Sequence, residues 1–219
     1  QERNLEKHCR SATPCNPLYV TLLARFLIWA GIMGNITDTL HQCLQCQDTM
    51  SLYRLALRSV QEFMSSAKEK NYMREILCLI SVSHNGVSEC ELMELCSGLT
   101  WPVLSFLMYH LHKMVVLRYS CGLLQFQHLQ AGEAVRMEYM QGGQNIVSEY
   151  REKLVQYFSI QLSRDRVTWR SADELTWLYQ QQGEKQKLHK CLMNLFVSQN
   201  LYKRGHFAEL LGYWQLVGK

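Results

Sequence analysis

The sequence predicts a mainly α-helical protein, and three observations carry that reading. Leucine supplies 33 of the 219 residues, within a hydrophobic share of 47%. Proline occurs three times, at Pro14, Pro17 and Pro102, so one helix-breaking residue stands in the last 202 positions. Apolar residues recur at three- and four-residue spacing over most of the chain, the period of a helix with one buried face. A chain of this length can bury one or two cores, and this composition is too apolar for a disordered tail.

Taken in order, the elements follow from local signals. Pro14 lies in a turn, Asn16 is a helix-cap residue, and Pro17 sits where a missing N–H costs little. Leu18, Leu22, Leu23, Phe26 and Leu27 then mark a helix that Gly31 and Gly34 end. Its most apolar stretch, Leu18 to Met33, is shorter than the roughly 20 residues of a membrane span and is broken by Arg25, so a buried helix is expected and no membrane segment. A second helix is expected near Asp38 to Cys46, and a third from Ser51 through Leu52, Leu55, Val60 and Phe63. The fourth runs through Met73, Ile76, Leu77 and Ile80 to a turn at His84-Asn85-Gly86.

Ser88 and Glu91 form an S-x-x-E capping box that opens a short helix ending near Cys96. Thr100-Trp101-Pro102 opens a longer one with Leu104, Leu107, Met108 and Leu111 inward. The period then changes: Val115 to Arg118 is β-prone, Ser120-Cys121-Gly122 turns, and Leu124, Phe126 and His128 alternate with glutamines, which predicts a β-hairpin. Helix, turn, short helix, longer helix, hairpin is the order of a winged helix. Beyond Gly142-Gly143 the chain returns to helices, one through Val147, Leu154 and Phe158. A second capping box at Ser171 and Glu174 opens the next, which Gly183 ends. Leu188, Leu192 and Leu195 mark another, and Gly205 precedes a last helix with Phe207, Leu210, Leu211 and Trp214. Gly183 and Gly205 are 22 residues apart, short of the roughly 34-residue tetratricopeptide period. The expected organisation is therefore a helical bundle over residues 1–70, a winged helix with a small β-hairpin over 71–140, and α-solenoid-like helical hairpins over 141–219 that lead into tetratricopeptide-type repeats.

Several motifs in this order resemble one family. Cys15-Asn16-Pro17-Leu18-Tyr19 looks like the proline-containing segment after the nucleotide-binding core of STAND ATPases (signal-transduction ATPases with numerous domains). Gly86-Val87-Ser88-Glu89-Cys90-Glu91-Leu92 resembles the winged-helix start in their nephrocystin-like branch, and Leu123-Leu124-Gln125-Phe126-Gln127-His128 its wing strand. Trp177-Leu178-Tyr179 and Leu210-Leu211-Gly212-Tyr213-Trp214 resemble the helical approach to that branch's tetratricopeptide repeats. The resemblance implies that Pro17 lies beside an adenine and His128 near nucleotide phosphates. Leu129 stands where that family usually has an acidic residue, and the arginine common in that family at the start of the following helix is replaced near Gly132. No G-x-x-x-x-G-K-[S/T] loop occurs, and the one Gly-Lys pair, Gly218-Lys219, lacks the following hydroxyl residue, so nothing in the chain would cradle the phosphates of ATP. The resemblance thus places any catalytic domain before Gln1, in keeping with a chain that starts at glutamine. It implies protein partners on the C-terminal helical array and packing on an upstream nucleotide-binding domain.

The remaining chemistry is sparse. Nine cysteines cannot all pair internally, and most fall in apolar helical patterns, so reduced buried thiols in a cytoplasmic protein are expected. The polar start, Gln1 to Arg10, is no signal peptide. His41, Cys43 and Cys46 give H-x-C-x-x-C, but a structural zinc site needs four ligands and no second C-x-x-C follows, so no metal is expected there. His110 and His112, two apart on a helix, do not share a face. His128 reads as a half-buried wing residue unless it serves as the phosphate contact. Glu133, Asp173 and Glu174 read as solvated or capping carboxylates, and Trp169, Trp177, Tyr213 and Trp214 as core aromatics.

No nucleophile–base pair or cofactor loop can be assembled, so no enzyme and no cofactor is expected in this chain. Residues 1–150 carry 12 basic and 13 acidic residues, and the rest 11 and 6. That excess is too small to call for nucleic acid. A regulatory and protein-interaction module is expected; the alternative is a nucleic-acid-binding winged helix using the helix from Pro102 to Lys113.

Overall fold

The computed structural model describes residues 16–64, 66–163 and 167–218. Pro14, Cys9, Cys15, Arg164 and Arg166 lie outside the described residues. The fold is mainly α, as expected: twelve helices and one two-stranded antiparallel hairpin among the described residues. They group into two units, one of residues up to 81 with 87–141, the other of residues 82–86 with those from 142 on.

In the first unit, α1 (Pro17–Ile32) starts as expected, with Asn16 Oδ1 accepting the Leu18 N–H at 2.9 Å. It buries Leu22, Leu23, Phe26 and Trp29 but leaves Ile28 and Ile32 exposed, and none of the described helices is long and apolar enough to cross a membrane. α2 (Ile36–Cys43) follows. α3 (Thr49–Phe63) begins two residues before Ser51 because Asp48 is the cap: its carboxylate accepts the Ser51 N–H at 2.7 Å while Ser51 Oγ accepts the Asp48 N–H. α1 packs on α2, α3 and α6.

α4 (Ala67–Val82) is the most buried helix of the unit, with Met73, Ile76, Leu77, Cys78 and Leu79 shielded from water. α5 (Glu89–Leu95) carries the Ser88–Glu91 capping box read from the sequence. Ser88 Oγ accepts the Glu91 N–H at 3.2 Å, and Glu91 Oε2 accepts the Ser88 N–H at 2.8 Å. α6 (Trp101–Lys113) points Leu104, Leu107, Met108 and Leu111 inward.

β1 (Leu117–Ser120) and β2 (Leu123–Phe126) pair from Leu117↔Phe126 to Ser120↔Leu123, so the loop is just Cys121-Gly122. Val87 joins the hairpin by exchanging two backbone hydrogen bonds with Leu124, at 3.2 and 2.9 Å. α7 (Leu129–Tyr139) then packs on α3, where Glu138 accepts from Arg54 at 3.0 Å and from Arg58 at 2.6 Å. Both loop residues have positive φ, 52° at Cys121 and 79° at Gly122, the geometry of a type I′ turn. Cysteine gains nothing from that conformation, whereas asparagine tolerates it through its short polar side chain. Cys121→Asn is therefore expected to raise stability by about 0.5–1 kcal/mol, measured as a shift in urea midpoint at unchanged m-value.

The second unit stacks α8 (Gln144–Ser163), α9 (Trp169–Gln182), α10 (Lys185–Leu192), α11 (Leu195–Lys203) and α12 (Phe207–Val217), each against its neighbours in sequence. Gly183, at φ 71°, ends α9 as expected. Two local readings change. The cap of α9 is not Ser171 with Glu174 but Thr168, whose Oγ1 accepts the Ser171 N–H at 3.1 Å while Ser171 Oγ accepts the Thr168 N–H at 3.0 Å. And Leu195 does not continue the helix of Leu188 and Leu192, because Asn194 caps a new one, its Oδ1 accepting the Phe196 N–H at 3.0 Å.

Candidate functional site

In the first unit, the end of the hairpin and the start of α7 enclose a cleft of about 300 Å³ lined by Arg118, Phe126, His128, Gly132, Glu133 and Arg136. Gly132 lets the start of α7 pack close against the hairpin, since a Cβ there would lie 3.0 Å from the Phe126 ring. Arg136 is held in place: its Nε donates to Ser81 Oγ at 3.0 Å and a terminal nitrogen to the Ser81 carbonyl at 3.2 Å. The strand ends at Phe126, so His128 is the residue before α7, and it is exposed rather than half-buried. Two guanidinium groups and an imidazole against one carboxylate make the cleft suited to an anion. Pro17 opens α1, is exposed, and does not line this cleft.

The second unit holds a polar cluster that sequence reasoning missed. Glu174 is fully buried and Asp173 nearly so, at 4% exposure. They are neither solvated nor capping, because α9 begins three residues earlier than its second S-x-x-E pattern suggests. Glu174 accepts from Arg170 at 2.9 Å and from the backbone N–H groups of His84 and Asn85 at 3.0 and 3.2 Å. Arg170 also donates to the Gly86 carbonyl at 2.9 Å. The carboxylate thus anchors the 82–86 turn to α9. Burial pushes the Glu174 carboxyl up, and Arg170 with the two amides offsets part of that rise.

Asp173 Oδ2 accepts from Asn85 Nδ2 at 2.7 Å, while Oδ1 faces His84 Nδ1 at 3.4 Å and His206 Nδ1 at 3.9 Å. Burial works against ionisation of Asp173 and of His84, yet the Asp173 pKa ends below the usual value and that of His84 above it, because each faces the other's charge. The expected core role of the aromatics holds for buried Tyr213 alone. Trp214 is 37% exposed. The faces of Trp169 and Trp177 carry cationic or stacked groups instead: Arg204 lies 4.0 Å from the Trp169 centroid, and the His84 ring stacks on Trp177 at 5.1 Å.

The other histidine and cysteine candidates stay apart from both places. His110 is buried and His112 exposed, on different faces of α6, and Trp29 Nε1 donates to His110 Nδ1 at 2.8 Å. Cys43 and Cys46 are buried while His41 is exposed. Burial, with Cys46 adding to it, pushes the Cys43 thiol up to about 12.

Comparison with known families gives one decisive match. The model of the nephrocystin 3 helical domain matches residues 1–139. The chain belongs to the nephrocystin 3 helical-domain family. The nephrocystin-3 of Xenopus laevis is 78% identical over 219 residues, covering 100% of this chain and 17% of that protein. Nephrocystin-3 of Homo sapiens is 64% identical over the same span, 16% of its length. A TPR repeat-containing protein of Dictyostelium discoideum is 24% identical over 95% of this chain and 12% of its own length. The chain therefore spans about one-sixth of the nephrocystin-3 relatives it matches. No solved structure matches. The nephrocystin 3 match ends at Tyr139, the last residue of α7, so the cleft lies within the matched segment and most of the second unit beyond it.

Proposed function

We propose that the chain is a non-enzymatic regulatory and protein-interaction module of a STAND-type tetratricopeptide repeat protein that acts in the cytoplasm. In this reading residues 1–70 follow a nucleotide-binding core, residues 71–140 form a winged helix that packs on that core, and residues 141–219 begin an array of helical hairpins. Pro17 and His128 keep the roles the resemblance gives them, beside the adenine and near the phosphates. The two arginines of the cleft beside His128 support the second role.

The observation that carries the interaction role is the surface of the last two helices. Leu195, Phe196, Tyr202, Phe207 and Leu211 are 81%, 66%, 63%, 51% and 45% exposed. Apolar side chains this dense on neighbouring helices mark a surface built to be covered by protein, as in a helical array where each hairpin buries its face on the next. The exposed residues of α6 include Trp101, Phe106 and Tyr109, aromatic rather than base-reading, which does not support the nucleic-acid alternative.

The test is the double substitution Leu195→Glu, Phe196→Glu. In the 219-residue chain it is expected to change stability by less than about 0.5 kcal/mol, as for exposed positions generally. In the full-length protein it is expected to remove amide-exchange protection from α11 and α12. Equal exchange in the two full-length forms would overturn the interaction role, and magnesium-dependent ATP turnover by the 219-residue chain would overturn the non-enzymatic one.

A further inference from the structure

The carboxylate of Asp173 is the best-hidden member of a four-residue group in the second unit. One of its oxygens, Oδ1, is buried and makes no hydrogen bond. It points into a space bounded by His84, His206 and Glu209. The ligand atoms of His84, Asp173 and Glu209 all lie within 4.8 Å of one another. His206 Nδ1 lies beside this group, 3.9 Å from Asp173 Oδ1 and 3.3 Å from Glu209 Oε2. His84 Nδ1 is 3.4 Å from the same Asp173 oxygen. Tetrahedral zinc with bonds of about 2.0–2.1 Å sets neighbouring ligand atoms about 3.3 Å apart. Two of these three separations match that edge and the third, at 3.9 Å, exceeds it by about 0.6 Å.

We propose that this group is a zinc site, with His84, Asp173, His206 and Glu209 as ligands. Two imidazole nitrogens and two carboxylate oxygens suit zinc, whereas magnesium and calcium take six or more oxygens. The supporting residues are those a metal site needs around its ligands. Asn85 Nδ2 donates to Asp173 Oδ2 at 2.7 Å and aims the other oxygen inward. The same amide nitrogen lies 3.2 Å from His84 Nδ1, a weaker contact that the metal replaces. The His84 ring is held flat against Trp177, with 10° between the planes. His206 and Glu209 remain 28% and 42% exposed in their side chains, which leaves a way in for the ion. A bound ion would tie three pieces of the second unit together: the 82–86 turn, α9 and the start of α12. It would also give Asp173 Oδ1 a closer partner than the His84 imidazole 3.4 Å away. The site rests on none of the residues of the proposed interaction surface or of the cleft beside His128.

The test uses the 219-residue chain stripped of metal with a chelator and titrated with zinc chloride. One zinc per chain is expected, with a melting-temperature rise of several degrees that magnesium and calcium do not reproduce. His206→Gln and Glu209→Gln, both on the accessible side, are expected to keep the helical circular dichroism of the parent and lose at least tenfold in zinc affinity. Cobalt in place of zinc is expected to show a tetrahedral spectrum without a thiolate charge-transfer band. Less than one-fifth of an equivalent of bound zinc, unchanged affinity in both variants, or a thiolate band abolished by Cys43→Ser with Cys46→Ser would each overturn the site.

Discussion

Replacing Glu174 by alanine is expected to destabilise the second unit by about 3–5 kcal/mol, the usual cost of breaking a buried ion pair from one side. The substitution removes the carboxylate that Arg170 pairs with inside the protein, and it strips the His84 and Asn85 amides of their acceptor. The pair itself is not the source of most of that cost. If it were, Arg170→Met with Glu174→Leu would be as damaging. The double variant removes both charges and is expected to lose only about 1–3 kcal/mol, the cost of amides left without acceptors. Urea unfolding monitored by amide exchange at residues 84–85 and along α9 separates the two. A double variant as unstable as Glu174→Ala would show that attraction between the charges dominates.

Phe26→Ala is expected to cost the first unit about 3–5 kcal/mol, from lost burial and the cavity left behind. Phe26 is fully buried on α1, with its ring 6.0 Å from that of Trp29. Ile28, two residues along the same helix, is 65% exposed, so Ile28→Ala is expected to stay within about 0.5 kcal/mol of the parent. Chemical denaturation followed through Trp29 fluorescence measures both. Equal effects at the two positions would mean that α1 is rotated about its axis relative to the packing described above.

The contrast between these positions shows what was legible in the sequence. Asn16 and Pro17, the Ser88–Glu91 box and Gly183 are signals contained within four residues, and each stands where the sequence places it; of the expected Ser120-Cys121-Gly122 turn, Ser120 instead pairs with Leu123 as the last residue of β1. The inward leucines of α6 were legible because a repeated period outweighs any one side chain. The start of α9 was ambiguous, since Thr168 with Ser171 and Ser171 with Glu174 both supply a capping pattern. What decides between them is a demand from elsewhere: Glu174 is needed by amides 89 and 90 residues away. No local rule reports that distance, and an acid in a helix reads as solvated unless its partners are known. The same holds for Asp173 with His84 and His206. The exposure of His128 was misread because the two-residue alternation was carried past the last paired residue, Phe126.

The division of the chain has a consequence for its birth on the ribosome. Residues 82–86 belong to the second unit, but all of the chain from 87 to 141 is made before the rest of that unit follows. At synthesis rates of about 5–20 residues per second, the His84 and Asn85 amides wait about 5–18 seconds for the Glu174 carboxylate to emerge. During that interval the turn has its donors exposed and no acceptor, so the first unit must fold with a loose end that only later synthesis secures. A chain truncated after α7 would keep that end open permanently, and one begun at residue 142 would carry Arg170, Asp173 and Glu174 without the turn that joins them.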